Sequence, residues 1–110
     1  MTTPLQLGGT VEQLRATPLA PYAGIYEAYL GDRGYAPSTK GGYFRCLVHF
    51  GRWMSQGGLD AEDLDEDVVV QFLDEHLPRC RCPAPVVHTR DDLRAALGHL
   101  LVVLRVRAVI

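Results

Sequence analysis

Cysteine is scarce in this sequence, and long apolar runs are missing from it. Only three of the 110 residues are cysteine, and two of them, Cys80 and Cys82, stand one residue apart. An odd number in that arrangement is unlike the disulfide framework of a small secreted protein, so we expect a reducing, cytoplasmic location. No apolar run reaches the roughly eighteen residues of a membrane span, and residues 1–9 lack a basic segment before an apolar one. Neither membrane insertion nor export is predicted.

A strand pattern is also lacking. No segment alternates between polar and apolar residues as a half-buried strand does, and there is no internal repeat or low-complexity tract. With 47% hydrophobic and 22% charged residues, the chain has the composition of a globular domain rather than of a disordered one. We therefore expect an all-α fold with one compact core. We interpret residues 1–17 as a flexible lead and residues 18–110 as the domain.

Four segments have apolar residues at helical spacing. The first helix is expected over residues 22–33, where Gly34 is placed to end it. The second follows an N-cap at Ser38 and runs to about Gln56, just before a pair of glycines. These two helices contain most of the aromatic residues, and we expect Tyr43 and Trp53 to be packing residues.

The third and fourth helices lie on either side of a proline-rich linker. The third is expected to start at Asp65 and to end at Pro78, and residues 78–88 are expected to cross the surface in extended form. Thr89 is placed to cap the fourth helix. The apolar stripe of that helix consists of Leu93, Leu97, Leu100 and Leu104. The sequence thus predicts a compact bundle of four main helices.

The net charge of −2 hides an uneven distribution. Eight of the thirteen acidic residues lie within residues 60–75, whereas all eleven lysines and arginines lie outside that range. The rest of the chain therefore has eleven basic against five acidic residues, a formal +6. A surface divided in this way suits a protein that turns one side to phosphates. The charge pattern favours nucleic-acid binding without requiring it.

The order of several motifs is more specific. Residues 29–39 read YLGDRGYAPST, and Tyr43, Leu47, Phe50 and Trp53 follow at helical spacing. Residues 64–73 read LDEDVVVQFL, and residues 93–105 read LRAALGHLLVVLR. In this order the motifs resemble the N-terminal core-binding domain of tyrosine recombinases, the phage-integrase family. The resemblance implies a SAM-like helical domain.

What the resemblance implies for function is DNA binding in integration and recombination of mobile DNA. In the family this domain forms half of a C-shaped clamp on duplex DNA, and a C-terminal catalytic domain forms the other half. His49 and Arg52 spell an H-x-x-R motif of the catalytic kind, but they lie inside the second helix and no tyrosine follows Tyr43. We therefore expect this chain to bind without cutting, to need no cofactor, and to act with the catalytic domain, which this chain does not contain. Whether it forms an oligomer on DNA is left open by the sequence.

Candidate DNA contacts lie mainly on the second helix. At 100° per residue, four polar residues fall on one arc opposite the apolar stripe, and the free amides at the helix start favour a phosphate. The alternative is an ordinary solvated face. The candidates are Ser38, Thr39 and Lys40 at the helix start, Arg45, His49, Arg52 and Gln56 along it, and Arg90 and Arg94 on the fourth helix, where Arg105 extends the same basic track.

The linker leaves a second alternative open. His76, Cys80, Cys82 and His88 offer four zinc ligands, although two cysteines one residue apart fit no standard zinc knuckle. A rigid surface loop is the simpler interpretation. If the acidic stretch rather than the basic residues determines function, the chain is instead a helical protein-interaction module, zinc-stapled or not, that binds no nucleic acid.

Overall fold

The computed structural model describes residues 12–81 and 89–110, and this part of the chain is helical with no strand. The all-α prediction with four main helices is confirmed. The helices are α1 (Ala23–Asp32), α2 (Pro37–Gly57), α3 (Glu66–Gln71) and α4 (Arg90–Val106). Shorter turns precede and follow them: 3-10 turns at Ala20–Tyr22, Ala61–Asp63 and Leu77–Arg79, and a π-helical turn at Phe72–His76.

Helix α2 is the central element of the bundle. Six consecutive residues in its middle, 46–51, are buried, so this helix is enclosed on all sides where a one-sided apolar stripe was expected. Its neighbours are α1, α4 and the turn after α3. The predicted stripe of α4 is confirmed, since Leu93, Leu97, Leu100 and Leu104 are each 0% exposed. The middle of α2 thus has little free surface, whereas both of its ends are exposed.

Residues 12–17, which the sequence assigns to the lead, pack on the helical body. Leu14 is 0% exposed, and Thr17 packs so closely on α2 that a Cβ added at Gly51 would lie 2.7 Å from the Thr17 Oγ1. The absence of a side chain at Gly51 therefore lets this segment approach α2. The short apolar sequence around Leu14 has too few periodic residues to predict such packing.

Most helix ends agree with the sequence. Gly34 and Gly58 adopt φ of 82° and 70°, the left-handed conformation that ends α1 and α2. The Asp65 Oδ1 accepts a hydrogen bond of 2.9 Å from the Val68 amide and so caps α3. The start of α2 differs, because the helix begins at Pro37 with Ala36 as N-cap and Ser38 already lies in the first turn. Proline suits this position since its missing N–H would have no helical acceptor.

The helical path after α3 does not end at Pro78 as predicted. A π-helical turn leads into the 3-10 turn Leu77–Arg79, and Pro78 lies inside that turn, near its start. The helical path therefore continues to Arg79, and extended backbone begins at Cys80, with φ −73° and ψ 136°. The predicted extended linker is wrong for its first residues, and its later residues, 82–88, lie outside the described part of the chain.

Candidate nucleic-acid interface and histidine-cysteine cluster

The first turn of α2 presents polar groups to solvent. Ser38 and Thr39 are exposed and Lys40 is half-buried. Pro37 has no amide hydrogen, and the amides of the next two residues have no acceptor within the helix. This turn therefore offers two backbone donors, two hydroxyls and one ammonium group, at the end of the helix where the dipole favours an anion.

Arg45 lies beside this turn. Together with Thr39, Gly42, Tyr43 and Asp92 it lines a hollow of about 250 Å³. Arg45 forms no ion pair with the other described residues. The structure thus brings together Thr39 of the predicted contacts at the start of α2 and Arg45, and it adds a carboxylate, Asp92, from the start of α4.

His49 does not share this exposed surface, which corrects its prediction as a DNA contact. The residue is 0% exposed, although the helical arc placed it between Arg45 and Arg52. The turn after α3 covers it, with the ring of Phe72 edge-on at 5.1 Å between centroids. The predicted polar face of α2 is therefore interrupted in its middle.

Arg52 and Gln56 form the second part of the interrupted face. They line a separate hollow of about 330 Å³ with Gln13, Ala16 and Thr17. Seven residues of helix separate Arg52 from Arg45, a distance of about 10 Å along the axis. The segment before α1 thus shapes the surroundings of Arg52, which the sequence did not predict.

The two candidates on α4 have different surroundings. The Arg90 Nη1 donates to the Leu73 carbonyl at 2.9 Å and its Nη2 pairs with the Asp74 Oδ1 at 2.8 Å, so this side chain links α4 to the turn after α3. Arg94 is exposed on the groove between α3 and α4. Arg105, on the same groove, pairs with Glu66 at 3.3 Å. Two basic residues of α4 therefore neutralise part of the acidic segment instead of forming a separate basic track.

Two imidazoles and a thiol form a cluster where the turns after α3 pack on α2. The His49 Nε2 lies 3.3 Å from the His76 Nε2 and 2.9 Å from the Cys80 Sγ. The candidate ligand atoms of the three residues all lie within 4.8 Å of one another. The structure thus joins two of the predicted zinc ligands, while Cys82 and His88 lie outside the described residues. It adds His49, whose position within the apolar run CLVHFG was a signal of burial.

A second histidine has entirely different neighbours. The Tyr29 hydroxyl lies 3.1 Å from the His99 Nδ1, and the Tyr35 hydroxyl lies 3.1 Å from its Nε2. The ring of Tyr43 packs on the same imidazole at 5.5 Å. Partial burial and then the nearby Arg33 charge lower the pKa of His99 below its usual 6.5. The sequence did not predict this cluster, because its four rings come from α1, the loop after it, α2 and α4.

Comparison with known proteins identifies the domain. Residues 25–79, half of the 110-residue chain, match the model of the N-terminal SAM-like domain of phage integrase. The chain belongs to this family. No match was found among curated proteins or among solved structures.

The match to the integrase SAM-like domain covers much of the described fold. It includes nearly all of α1, the whole of α2 and α3, and the turns that follow up to Arg79. It also covers the candidate contacts from Ser38 to Gln56, as well as His49 and His76, whereas Cys80 and α4 follow its end. In the described part of this integrase-type chain no helix is long and apolar enough to cross a membrane.

Proposed function

We propose that this chain binds double-stranded DNA as the N-terminal core-binding domain of a tyrosine-type site-specific recombinase, in DNA integration and recombination. Family membership supports the recombinase context. In this proposal the chain holds the duplex, and a separate C-terminal catalytic domain, its partner on DNA, performs strand cleavage. The chain itself binds without cutting and acts in the cytoplasm.

The observation that carries the proposal is the meeting of the α2 start with Arg45. Ser38 and Thr39 expose hydroxyls and amides, and Arg45 shares a hollow with Thr39 without an ion pair among the described residues. Backbone donors at a helix start fix a phosphate, and an arginine beside them adds a bidentate contact to the same or the next phosphate. Lys40 adds further positive charge.

The remaining candidates have lesser roles in this proposal. Arg52 and Gln56, about 10 Å further along α2, are placed to reach a phosphate further along the duplex. Arg94 extends the contact at the edge. We assign Arg90 to the fold, because its guanidinium holds the Leu73 carbonyl and the Asp74 carboxylate. His49 is buried and makes no DNA contact in this proposal.

Titration of a fluorescent duplex with the chain, at several salt concentrations, tests the proposal. We expect the affinity to fall steeply with salt, because each neutralised phosphate releases counterions. The double variant Arg45→Ala/Arg52→Ala should weaken binding at least ~10-fold and reduce the salt slope by about two, one for each lost phosphate contact.

Arg107→Ala is the matched control, since it removes the same charge from an exposed position away from α2. It should leave the slope nearly unchanged. If Arg107→Ala weakened duplex binding as much as Arg45→Ala or Arg52→Ala alone, the assignment of the DNA-binding surface to α2 would be contradicted. A folded chain that binds no duplex even at low salt would contradict the DNA-binding proposal itself.

A second candidate function, docking of a protein partner, is favoured by the groove between α3 and α4. The groove measures about 630 Å³, and its apolar residues include Val70, 50% exposed, and Val102, 37% exposed. Arg94 on its edge suits an acidic amphipathic helix as the occupant. Val102→Gln should weaken such docking, because it puts a polar group on the apolar wall of the groove, and it should leave DNA affinity intact because the charge is unchanged, so the same variant separates the two functions.

A further inference from the structure

We propose that His49, His76 and Cys80 bind a zinc ion, at a site that is independent of the DNA-binding surface. Zinc in proteins is held by imidazole nitrogens and thiolate sulfurs. These three side chains supply two of the former and one of the latter, and their ligand atoms all lie within 4.8 Å of one another. The donor set excludes magnesium and calcium, which prefer oxygen ligands.

The distances fit a shared ion. Tetrahedral zinc with bonds of about 2.0–2.1 Å to nitrogen and about 2.3 Å to sulfur separates two imidazole nitrogens by roughly 3.3 Å and a nitrogen from a sulfur by roughly 3.5 Å. The His49 and His76 nitrogens lie 3.3 Å apart, and the His49 nitrogen lies 2.9 Å from the sulfur. The first separation already fits, the second has to widen by about 0.6 Å, and the third, between the His76 nitrogen and the sulfur, lies within 4.8 Å.

The surroundings hold the ligands in place. His49 is 0% exposed in the middle of α2, so its backbone and ring are fixed by packing. The ring of Phe72 packs edge-on against His49 and stacks on His76 at 5.2 Å. His76 closes the π-helical turn, a departure from α-helix that is frequent at functional sites. The 3-10 turn that follows then brings Cys80, four residues later, beside the same nitrogen of His49.

The consequence of binding is a cross-link between two elements. His49 comes from the central helix, whereas His76 and Cys80 come from the turn that covers it. Zinc therefore fastens that turn to α2, and three protein ligands leave a fourth coordination position for water or another donor. Cys80 binds as the thiolate and its proton passes to solvent, so affinity increases with pH.

Titration of the reduced, metal-free 110-residue chain with Co²⁺ and then Zn²⁺ tests this inference. We expect one equivalent of Co²⁺ to give thiolate charge-transfer absorption and the visible bands of tetrahedral cobalt, and Zn²⁺ to displace it. At free zinc one hundred times its Kd, the melting temperature should rise by roughly 10–20 °C, and excess chelator should reverse the rise.

Two variants and one control complete the test. Cys80→Ser should abolish the charge-transfer band, and both it and His76→Gln should weaken zinc binding at least ~10-fold while circular dichroism still reports a helical chain. Cys46→Ala, which removes a buried thiol outside the cluster, should retain the full effect. The inference is overturned if the wild-type chain binds no Co²⁺, if zinc leaves its melting temperature unchanged, or if Cys80→Ser binds as tightly as Cys46→Ala.

Discussion

Two histidines occupy comparable positions between packed helices, yet their neighbours differ in chemistry. His99, half-buried on α4, has one phenol hydroxyl 3.1 Å from each ring nitrogen. His49, fully buried on α2, has a second imidazole and a thiol near a single nitrogen, the Nε2. The polar neighbours of the His99 ring are thus two oxygens, and those of the His49 ring are a nitrogen and a sulfur.

The difference teaches what each cluster needs in order to be stable. A neutral imidazole has one donor and one acceptor, and a phenol hydroxyl can serve as either, so the His99 cluster satisfies its polar atoms without an ion. In the His49 cluster a nitrogen and a sulfur converge on one nitrogen, and the three atoms have the softness that transition metals prefer. The first cluster is a structural hydrogen-bond network, whereas the second matches a metal-binding site.

The largest expected effect concerns the two described thiols, Cys46 near the His99 cluster and Cys80 within the His49 cluster. Cys46 lies beside Tyr43 in the aromatic cluster, and burial, reinforced by the Asp92 charge, raises its pKa from 9.0 to about 12. We therefore expect a variant with Cys46 as its sole thiol (Cys80→Ser/Cys82→Ser) to react with a disulfide reagent at pH 8 at least ~100-fold more slowly when folded than when unfolded, because burial blocks access and the lost thiolate fraction outweighs the higher nucleophilicity of each thiolate. The rate of thiol modification, followed by absorbance, measures this.

The matched variant retains only Cys80. In Cys46→Ala/Cys82→Ser the half-buried thiol should react readily in the metal-free folded chain and become protected when zinc is added. If Cys46 reacted as fast as Cys80 in the folded protein, the thiols would not differ in environment, and the comparison of the clusters would lose its basis.

A smaller effect is expected when each histidine is truncated in turn. With chelator present, His49→Ala should lower the free energy of unfolding by about 3 kcal/mol, because it opens a cavity beside Phe72 and leaves the polar atoms of His76 without this contact. His99→Ala should cost about 1 kcal/mol, since its tyrosine partners can turn to water. Urea unfolding of both variants measures the difference, and equal losses would break the comparison.

Periodicity and end signals made much of the fold predictable from the sequence. The stripe of leucines defined α4, glycines marked the ends of α1 and α2, and Asp65 marked the start of α3. The sequence failed where the outcome depends on tertiary packing. The burial of Leu14 depends on the close approach of Thr17 to Gly51, and the helical path through Pro78 depends on the turn that precedes it.

The candidate sites were predictable only in part for the same reason. Helical geometry placed His49 on an arc with Arg45 and Arg52, and this arc is correct, but a helix alone does not show which part of its surface another segment will cover. The turn after α3 covers the middle of the arc, so that His49 is a candidate metal ligand and not a candidate DNA contact. Only the folded structure shows that His76 lies beside His49, 27 residues away in the sequence.

The smallest expected effect is a pH dependence that belongs to the His99 cluster. The pKa of His99 is lowered from 6.5 in the folded chain, so the unfolded chain binds the proton more readily. Its contribution to stability is therefore complete above pH 6.5 and is lost as the pH falls below that value towards the folded pKa. The groups that face it are Tyr29 of α1, Arg33 just after that helix, Tyr35, and Tyr43 of α2. Urea unfolding between pH 7.5 and 5, with chelator present to exclude any metal at His49, should show a shallower decline for His99→Phe than for wild type. Identical declines would place the titrating group elsewhere, and the first candidate would then be the cluster around His49.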